Sequence, residues 1–581
     1  MKEYRRRGDN INKKFFQFLL PSLLSSIAMS LNEFVDSIIV SQLLGADAMS
    51  MVGMASPIMF LFAIISIMLG AGGSNVYAEY AGKQEKRKSE EVFSVVLIFS
   101  VLISVLIVIL GSVFIDDLSN RLCGNPELIP EFKPYVIILI LSSVLIIPLQ
   151  VLISFFPAFG SPQTVTIVNI IANGINLLMD VIYIKFFDTG VMGAAMATFT
   201  GYLIGVIFII VVILMKKVSL PYRKPGRGSS SIHLLLESAA KGAPGAIGQL
   251  GFLIKVSFCN HISMKIGGMV GIATFTLCMQ TLSVVSVGMS GTISAMIPIG
   301  AVLEGQRDFK GLKILLRSVF VVQFMTSLIL TVLFEAFPQL FCYIYNYSGE
   351  NAEGAMIGIR IFSLMYLFRG SVLIFLYYFQ ITNRKLYASI ISAIDGFAGL
   401  IPLVLILTPT FGINGLWLSF PILSILMLIV ITILNLCIAR NSNGKYEGIL
   451  LLDTEERGVS VYDATLRTGK DVISDFVVSL ENFCSDNIDN KKTVVFVTLV
   501  SEEMLSYICD HRFNKIPVEQ VDLLVKIRQD SVVMDIRCIG EPIDPTSAAG
   551  EAYSNVDVLR KVSKKLDYSY VLGMNQTRIT I

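Results

Sequence analysis

Residues 15–44 read FFQFLLPSLLSSIAMSLNEFVDSIIVSQLL, an apolar run broken near its middle by Asn32 and Glu33 and, farther on, by Asp36. The run is too long for a helix in a soluble core and suits a tilted bilayer span. Each carboxylate at such depth costs roughly 2.5–3.5 kcal/mol on insertion scales, so an acid kept there has a use or lies near a helix end. Asp36 stands about two-thirds of the way along the run, too deep for the second explanation. It is the first candidate site residue.

Around this stretch the chain divides into two unlike parts. With 54% hydrophobic and 15% charged residues among 581, it is no ordinary soluble globule. Twelve spans are expected, near 15–44, 51–82, 89–115, 134–157, 163–185, 190–216, 234–263, 270–303, 312–335, 354–382, 386–408 and 412–439. Residues 1–14 precede them, 217–233 link the sixth to the seventh, 441–458 form a polar linker and 459–581 read as a soluble α/β domain. Lysine and arginine fix the orientation: alternate connecting segments carry 21 on one side and 4 on the other. That ratio places both termini in the cytoplasm of a cell-membrane protein. Met1–Asn12 leads into the first span without a small-residue cleavage site, so no cleavable signal peptide is expected. Eight cysteines form no CxxC pair and three histidines are scattered, which argues for reduced thiols and no metal centre. No nucleic-acid partner is expected.

The spans repeat. Pro21, Gly45 and Gly82 recur 223 residues later as Pro244, Gly268 and Gly305, and Gly190-x-x-Gly193 recurs 222 later as Gly412-x-x-Gly415. Six spans separate the copies, so two six-helix lobes, 15–216 and 234–440, share one orientation about an axis along the membrane normal. Two lobes around a cavity suit a secondary transporter that rocks one against the other. The fifth span, TVTIVNIIANGINLLMDVIYI (164–184), sets Asn169, Asn173, Asn176 and Asp180 on one helical face, which must meet protein or water and not lipid. The alternative for this stripe is structural bonding between helices, which weighs more for Asn169 and Asn173 than for Asn176 and Asp180 but leads for neither pair. Thr198 follows on the next span. Two carboxylates, an amide and a hydroxyl form a hard oxygen set suited to Na⁺ or a proton, and two carboxylates so confined cannot both hold charge cheaply.

FVDSIIVSQLLG (34–45), AGKQEKRKSEEVFS (81–94), the NxxxD of Asn176 and Asp180, and GVMGAAMAT (190–198) together make residues 15–440 similar to the multidrug and toxic compound extrusion (MATE) family of drug/cation antiporters. The resemblance implies a cation site of Asp36, Asn176, Asp180 and Thr198, H⁺ or Na⁺ as coupling ion with no other cofactor, and a small-molecule substrate, often cationic or amphiphilic. The second lobe departs from the pattern. Lys255 stands where some members of the family carry an acid, and Arg369 and Asp395 are the other charges of a C-lobe cavity. Lys255 is expected either to pair with Asp395 or to turn the cavity away from strongly cationic cargo. Coupling is then expected to rest on the first lobe alone. Met51, Met54, Met59, Met68, Met279, Met289 and Met296 are candidates for an adaptable lining.

In the tail, a strand at Val459–Ala464, helices at Lys470–Cys484 and near Thr493–His511, and strands at Gln520–Gln529, Ser531–Ile539 and Arg578–Ile581 are expected. With VSEEMLSYICDH (500–511) on its second helix, this order resembles the ATP-binding fold of histidine kinases and anti-sigma-factor kinases. The resemblance also implies damage. Glu503 is kept, Tyr507 stands where Asn binds Mg²⁺, Gly540 is kept while Cys538 replaces the adenine-binding aspartate, and SNVDVLRKVSKK (554–565) lacks the glycine-rich lid. The tail is therefore expected to bind a cytoplasmic protein partner or to regulate, and the chain is not expected to be an enzyme. Besides an antiporter, two other functions fit these features: a flippase for lipid-linked precursors, disfavoured because only Lys255 and Arg369 are available as cavity cations, and a membrane sensor that signals through the tail.

Overall fold

Long apolar runs become helices because a backbone facing lipid has no water to satisfy its N–H and C=O groups. The computed structural model describes residues 8–123, 128–215, 220–224, 229–344, 350–453, 459–467, 470–510, 520–528, 531–542, 544–546 and 561–581. The side chain of Glu33 and most of the lid segment 554–565 lie outside the described residues. The helices are α1 (Asp9–Ser66), α2 (Gly72–Gly82), α3 (Lys86–Val113), α4 (Ile115–Leu122), α5 (Ile129–Phe155), α6 (Pro162–Val181) and α7 (Val191–Leu214). After them come α8 (Ser229–Gly305), α9 (Phe309–Ala336), α10 (Pro338–Ile344), α11 (Glu350–Ser363), α12 (Tyr366–Ile381), α13 (Lys385–Ala393), α14 (Leu400–Phe411) and α15 (Ile413–Asn441). Short π-helical turns at Ile67–Ala71, Ile182–Phe186 and Ile394–Ala398 interrupt the membrane helices.

Among the described residues nine helices are long and apolar enough to cross a membrane, and the bent pair Ala352–Ser363 with Tyr366–Ile381 makes ten. The expected spans 15–44 and 234–263 are helical within α1 and α8 but are not among these: several side chains between Leu31 and Ser50 lie outside the described residues, and Glu237, Lys241 and Lys255 lower the apolarity of the second. At 1.5 Å per residue α1 would run about 87 Å, well beyond one bilayer, so it holds more than one crossing. α8 is two helices joined at a kink at Gly268, where φ of 59° and ψ of −146° lie outside helical space. Gly190 and Gly412, displaced by 222, hold nearly the same dihedrals at the starts of α7 and α15.

Contacts repeat as well as landmarks. The Thr166 hydroxyl donates to the Pro21 carbonyl at 2.7 Å, and Ser392 donates to the Pro244 carbonyl at 2.6 Å. Gly82 and Gly305 touch each other: a Cβ on Gly82 would stand 2.3 Å from the Val302 oxygen, and one on Gly305 2.2 Å from the Glu79 oxygen. Since 302 is 79 displaced by 223, the contact is self-complementary, as about a two-fold axis.

The tail begins earlier than expected. Within the segment read as a linker, β1 (Tyr446–Glu447) and β2 (Leu452–Asp453) form a hairpin with Leu451 buried. Its carbonyls accept from Asn435 (to Ile449, 2.7 Å), Tyr378 (to Leu450, 2.6 Å) and Arg384 (to Leu451, 2.5 Å). Beyond it come β3 (Ser460–Arg467), α16 (Lys470–Asn487), α17 (Lys491–Asp510), β4 (Gln520–Ile527), β5 (Val532–Ile539), β6 (Lys565–Val571) and β7 (Met574–Thr580). The five-stranded sheet runs β3-β4-β5-β7-β6, antiparallel throughout. β6 was not expected from the sequence. Phe476, Leu480, Val497 and Leu505 of the two helices pack on Leu523, Met534 and Ile536 of one sheet face. The other face is polar yet equally buried (Asp522, Asp535, Arg537, Gln576), because the end of the helical bundle covers it.

Candidate functional site

The register of α1 against α6 builds the first site. Asn169 donates to the Ser25 hydroxyl at 2.6 Å, a bond between helices that gives this amide a structural role. Eleven residues farther along each helix, three turns, stand Asp36 and Asp180, whose carboxyls are close enough for the charge of one to act on the other. Asp180 is fully buried, and among the described residues neither of its side-chain oxygens has a hydrogen-bond donor. Asn176, one turn before it, is buried with its side-chain nitrogen unpartnered among the described residues. Thr198 lies on α7, three residues before Gly201, where a Cβ would come within 2.9 Å of Cβ of Asn176. Its hydroxyl donates to Ala194 in its own helix at 3.0 Å, which leaves its lone pairs to accept or coordinate. Asn173 shares the stripe and is half-buried.

A fifth residue belongs to this group and was not foreseen. Tyr135 of α5 is buried within electrostatic range of both carboxyls. A tyrosine inside an apolar run gives no sign of its neighbours, so the sequence held no signal for it. Carboxyl oxygens buried without donors are costly, and a proton or a small hard cation removes that cost. The donor set fits such an ion.

The second half gathers the other predicted charges. α8 and the π-turn at Ile394–Ala398 meet so closely that a Cβ on Gly251 would lie 2.7 Å from Cα of Gly396. One turn on, the Lys255 ammonium donates to the Asp395 carbonyl at 3.2 Å, and Arg369 takes the Asp395 carboxylate at 2.7 Å. The expected Lys255–Asp395 pairing is thus through the backbone, and the ion pair belongs to Arg369. All three are buried or nearly so.

Two cavities of about 450 Å³ each lie between the halves and share a wall of Ala71, Ser286, Ser290, Ser294 and Ile297. The first is rich in hydroxyls and reaches Asn169, Gln150 and Thr166; the second is apolar and includes Arg369. Of the methionines proposed as lining, Met279 and Met289 line the second cavity, whereas Met59 is exposed and lines neither cavity. The end of the bundle that faces the tail is shut. A Cβ on Gly72 would stand 2.0 Å from the Ser238 oxygen, and Lys241 forms a buried ion pair with Glu79. Glu79 also accepts from Lys83 at 2.5 Å and from Asn383 at 3.2 Å.

Tyr507 is buried in the apolar core of the tail, and the Gly540 carbonyl accepts from Tyr570. Glu503 is half-buried, and burial beside Glu502 pushes its carboxyl above the ordinary value.

The sequence profile of the MatE family matches residues 21–182 and 246–404, one match in each half. "Probable multidrug resistance protein YoeA" of Bacillus subtilis is 24% identical over 417 residues, 70% of this chain and 89% of that protein. The "FAD transporter" of Shewanella oneidensis is 22% identical over 428 residues, 72% and 92%. Among solved structures, the outward-facing conformation of a multidrug resistance MATE family transporter superposes with a TM-score of 0.69 at 21% identity, covering 74% of this chain and 97% of the other. A transporter of the same superfamily from Pyrococcus furiosus, described by a reversed polarity of its binding pocket, gives 0.67 at 21% identity, with coverage of 74% and 97%.

Proposed function

The chain belongs to the MATE family of multi-pass membrane transporters, and we propose that it is an H⁺- or Na⁺-coupled antiporter that exports drug-like or metabolite compounds. The observation that carries this reading is the Asp36–Asp180 pair, with the Asp180 oxygens buried and lacking donors among the described residues. Such a pair takes up a proton or cation whenever it is shut away from water. Neutralising it favours one packing of α1 against α6, and discharging it favours another, which is what alternating access needs. The repeated contacts support two six-helix lobes, twelve spans in all, and the charge bias of the loops supports cytoplasmic termini. The relatives named for multidrug and FAD transport support export of organic molecules. The tail, with Tyr507 in its core, supports a regulatory module without ATP turnover.

The test is efflux of a fluorescent amphiphilic dye from everted vesicles under a pH gradient alone and then an Na⁺ gradient alone. Wild type is expected to respond to one gradient and Asp36→Asn to neither, a loss of at least about tenfold at matched expression, equivalent to some 1.4 kcal/mol. Equal efflux by both proteins removes Asp36 from the mechanism.

A further inference from the structure

The two halves carry charge of opposite sign on equivalent helices. Lys255 stands 223 residues after Asn32, and Asp395 222 after Asn173, so their helix pair is the counterpart of the α1–α6 pair that holds Asp36 and Asp180. Where the first pair gathers two carboxylates, the second gathers two cations and one carboxylate. Arg369 takes the Asp395 carboxylate and Lys255 its carbonyl, which leaves one net positive charge in an apolar setting. Uncompensated charge inside a membrane bundle is costly and marks a ligand path. Arg369 lines the second cavity with Phe252, Met279, Leu282, Met289 and Tyr377. Gln380 lines it too, and its buried side-chain oxygen has no donor among the described residues.

We propose that this cavity is the cargo site and that it takes an organic anion. A carboxylate or phosphate sits against Arg369, an apolar body lies along the methionine wall, and a hydroxyl or amide N–H donates to Gln380. The guanidinium suits the head group because its planar fork matches such oxyanions. Asp36 and Asp180 are not in the lining of either cavity, so cargo and coupling ion hold separate sites and act on each other through α1 and α6. The assignment rests on the chain being a transporter.

The test uses the full-length protein in detergent, without a gradient, and two matched probes, 7-diethylaminocoumarin-3-carboxylate and its neutral carboxamide. Fluorescence anisotropy is expected to show the carboxylate binding at least about tenfold tighter in the wild type, a usual size for one charge-assisted contact. Arg369→Lys keeps part of the preference. The double variant Arg369→Gln with Asp395→Asn, which leaves no carboxylate stranded, abolishes it. Equal binding of the two probes to wild type, binding of neither, or a preference that survives in the double variant overturns the proposal. A protein that binds the carboxylate yet moves it under no gradient refutes antiport and leaves this site standing.

A different observation carries a second inference. The polar sheet face of the tail grips both halves at once. On the second half, Arg537 forms a buried ion pair with Asp308 and donates to Gln306 at 2.9 Å, Gln306 donates to Gln576 at 2.8 Å, and Lys526 donates to the Arg307 carbonyl at 3.0 Å. On the first half, Arg578 donates to the Lys83 carbonyl at 3.3 Å while bound to Asp535, and the Leu572 N–H donates to the Ala158 carbonyl at 3.4 Å. The segments gripped, near 83 and 306, adjoin the touching glycines Gly82 and Gly305. The geometry points to a clasp: contacts to both segments can persist only while those glycines touch, so the docked tail favours the state closed at its own end.

The readout is the distance between nitroxide labels at the exposed positions Arg87 and Lys313 in the full chain. Wild type gives a short distance; Arg537→Glu shifts at least about tenfold more of the population to a longer one, and Arg537→Lys returns it toward wild type. The expectation is the same whether the Glu variant undocks the tail or unfolds it. Unchanged distances in Arg537→Glu, with the tail shown by hydrogen exchange to be released, refute the clasp.

Discussion

Gly72→Leu is expected to lower transport by more than about a hundredfold while leaving each half folded, because the clash it makes is with the other half of the bundle. A single Cβ at this position would stand 2.0 Å from the Ser238 oxygen and 2.6 Å from the Gly242 nitrogen, both backbone atoms on α8 that cannot rotate away. The helices must part by an ångström or more, and the Glu79–Lys241 pair one to two turns along the same seam parts with them. The state closed at the tail end is lost, and the bundle rests open there. Single-turnover efflux, nitroxide distances across the seam and the melting temperature check this together. Gly174→Ala is the control, since nothing lies within 4 Å of its Cβ, and it should be neutral or slightly stabilising.

Lys241→Met is expected to act through charge and to be reversible by a second change. Lys241 is almost fully buried against Glu79, and Gln380 donates to its carbonyl at 2.5 Å. Removing one partner of such a pair costs roughly 3–5 kcal/mol, because the remaining charge is stranded. Lys83, partly exposed, and Asn383 offset a fraction of that for Glu79. Opening the seam hydrates the carboxylate, so the single variant should shift toward the open state by about a hundredfold or more. Replacing both, Lys241→Met with Glu79→Leu, removes the desolvation cost and is expected to hold the seam closed, since apolar substitutes for buried pairs are often neutral or stabilising. Single and double variants should therefore both be poor transporters, trapped at opposite ends of the cycle. Distances across the seam that move the same way in both would exclude this account.

What could be read from the sequence was whatever lay along one chain segment or recurred at a fixed offset. The apolar runs, the 223-residue displacement and the Asn169–Asp180 stripe are of that kind, and their positions stand in the structure on the helices expected of them. Tyr135 could not be read, because its meaning comes from two carboxyls on other helices. The hairpin at 446–453 was hidden by its polar flanks, which outweigh the short run Ile449–Leu452 in any window average. In β5, Met534, Ile536 and Cys538 alternate with Asp535 and Arg537, which reads as one core face and one solvent face. The alternation is real. What it cannot reveal is that the polar face is covered by a second surface of matching charge.

The docked hairpin also sets how strongly the tail must hold on. Only residues 454–459 separate Asp453 of the anchored hairpin from Ser460 of the sheet. Six residues reach at most about 20 Å whatever their arrangement, which confines the domain beside its docking surface at an effective concentration on the order of millimolar. An intrinsic affinity as weak as ~0.1 mM then keeps about nine tails in ten seated, at any level of expression. A soluble competitor cannot displace the tail by abundance alone; it must bind the sheet face tightly enough to outweigh a millimolar local rival, or a charge must be added at the Arg537–Asp308 contact.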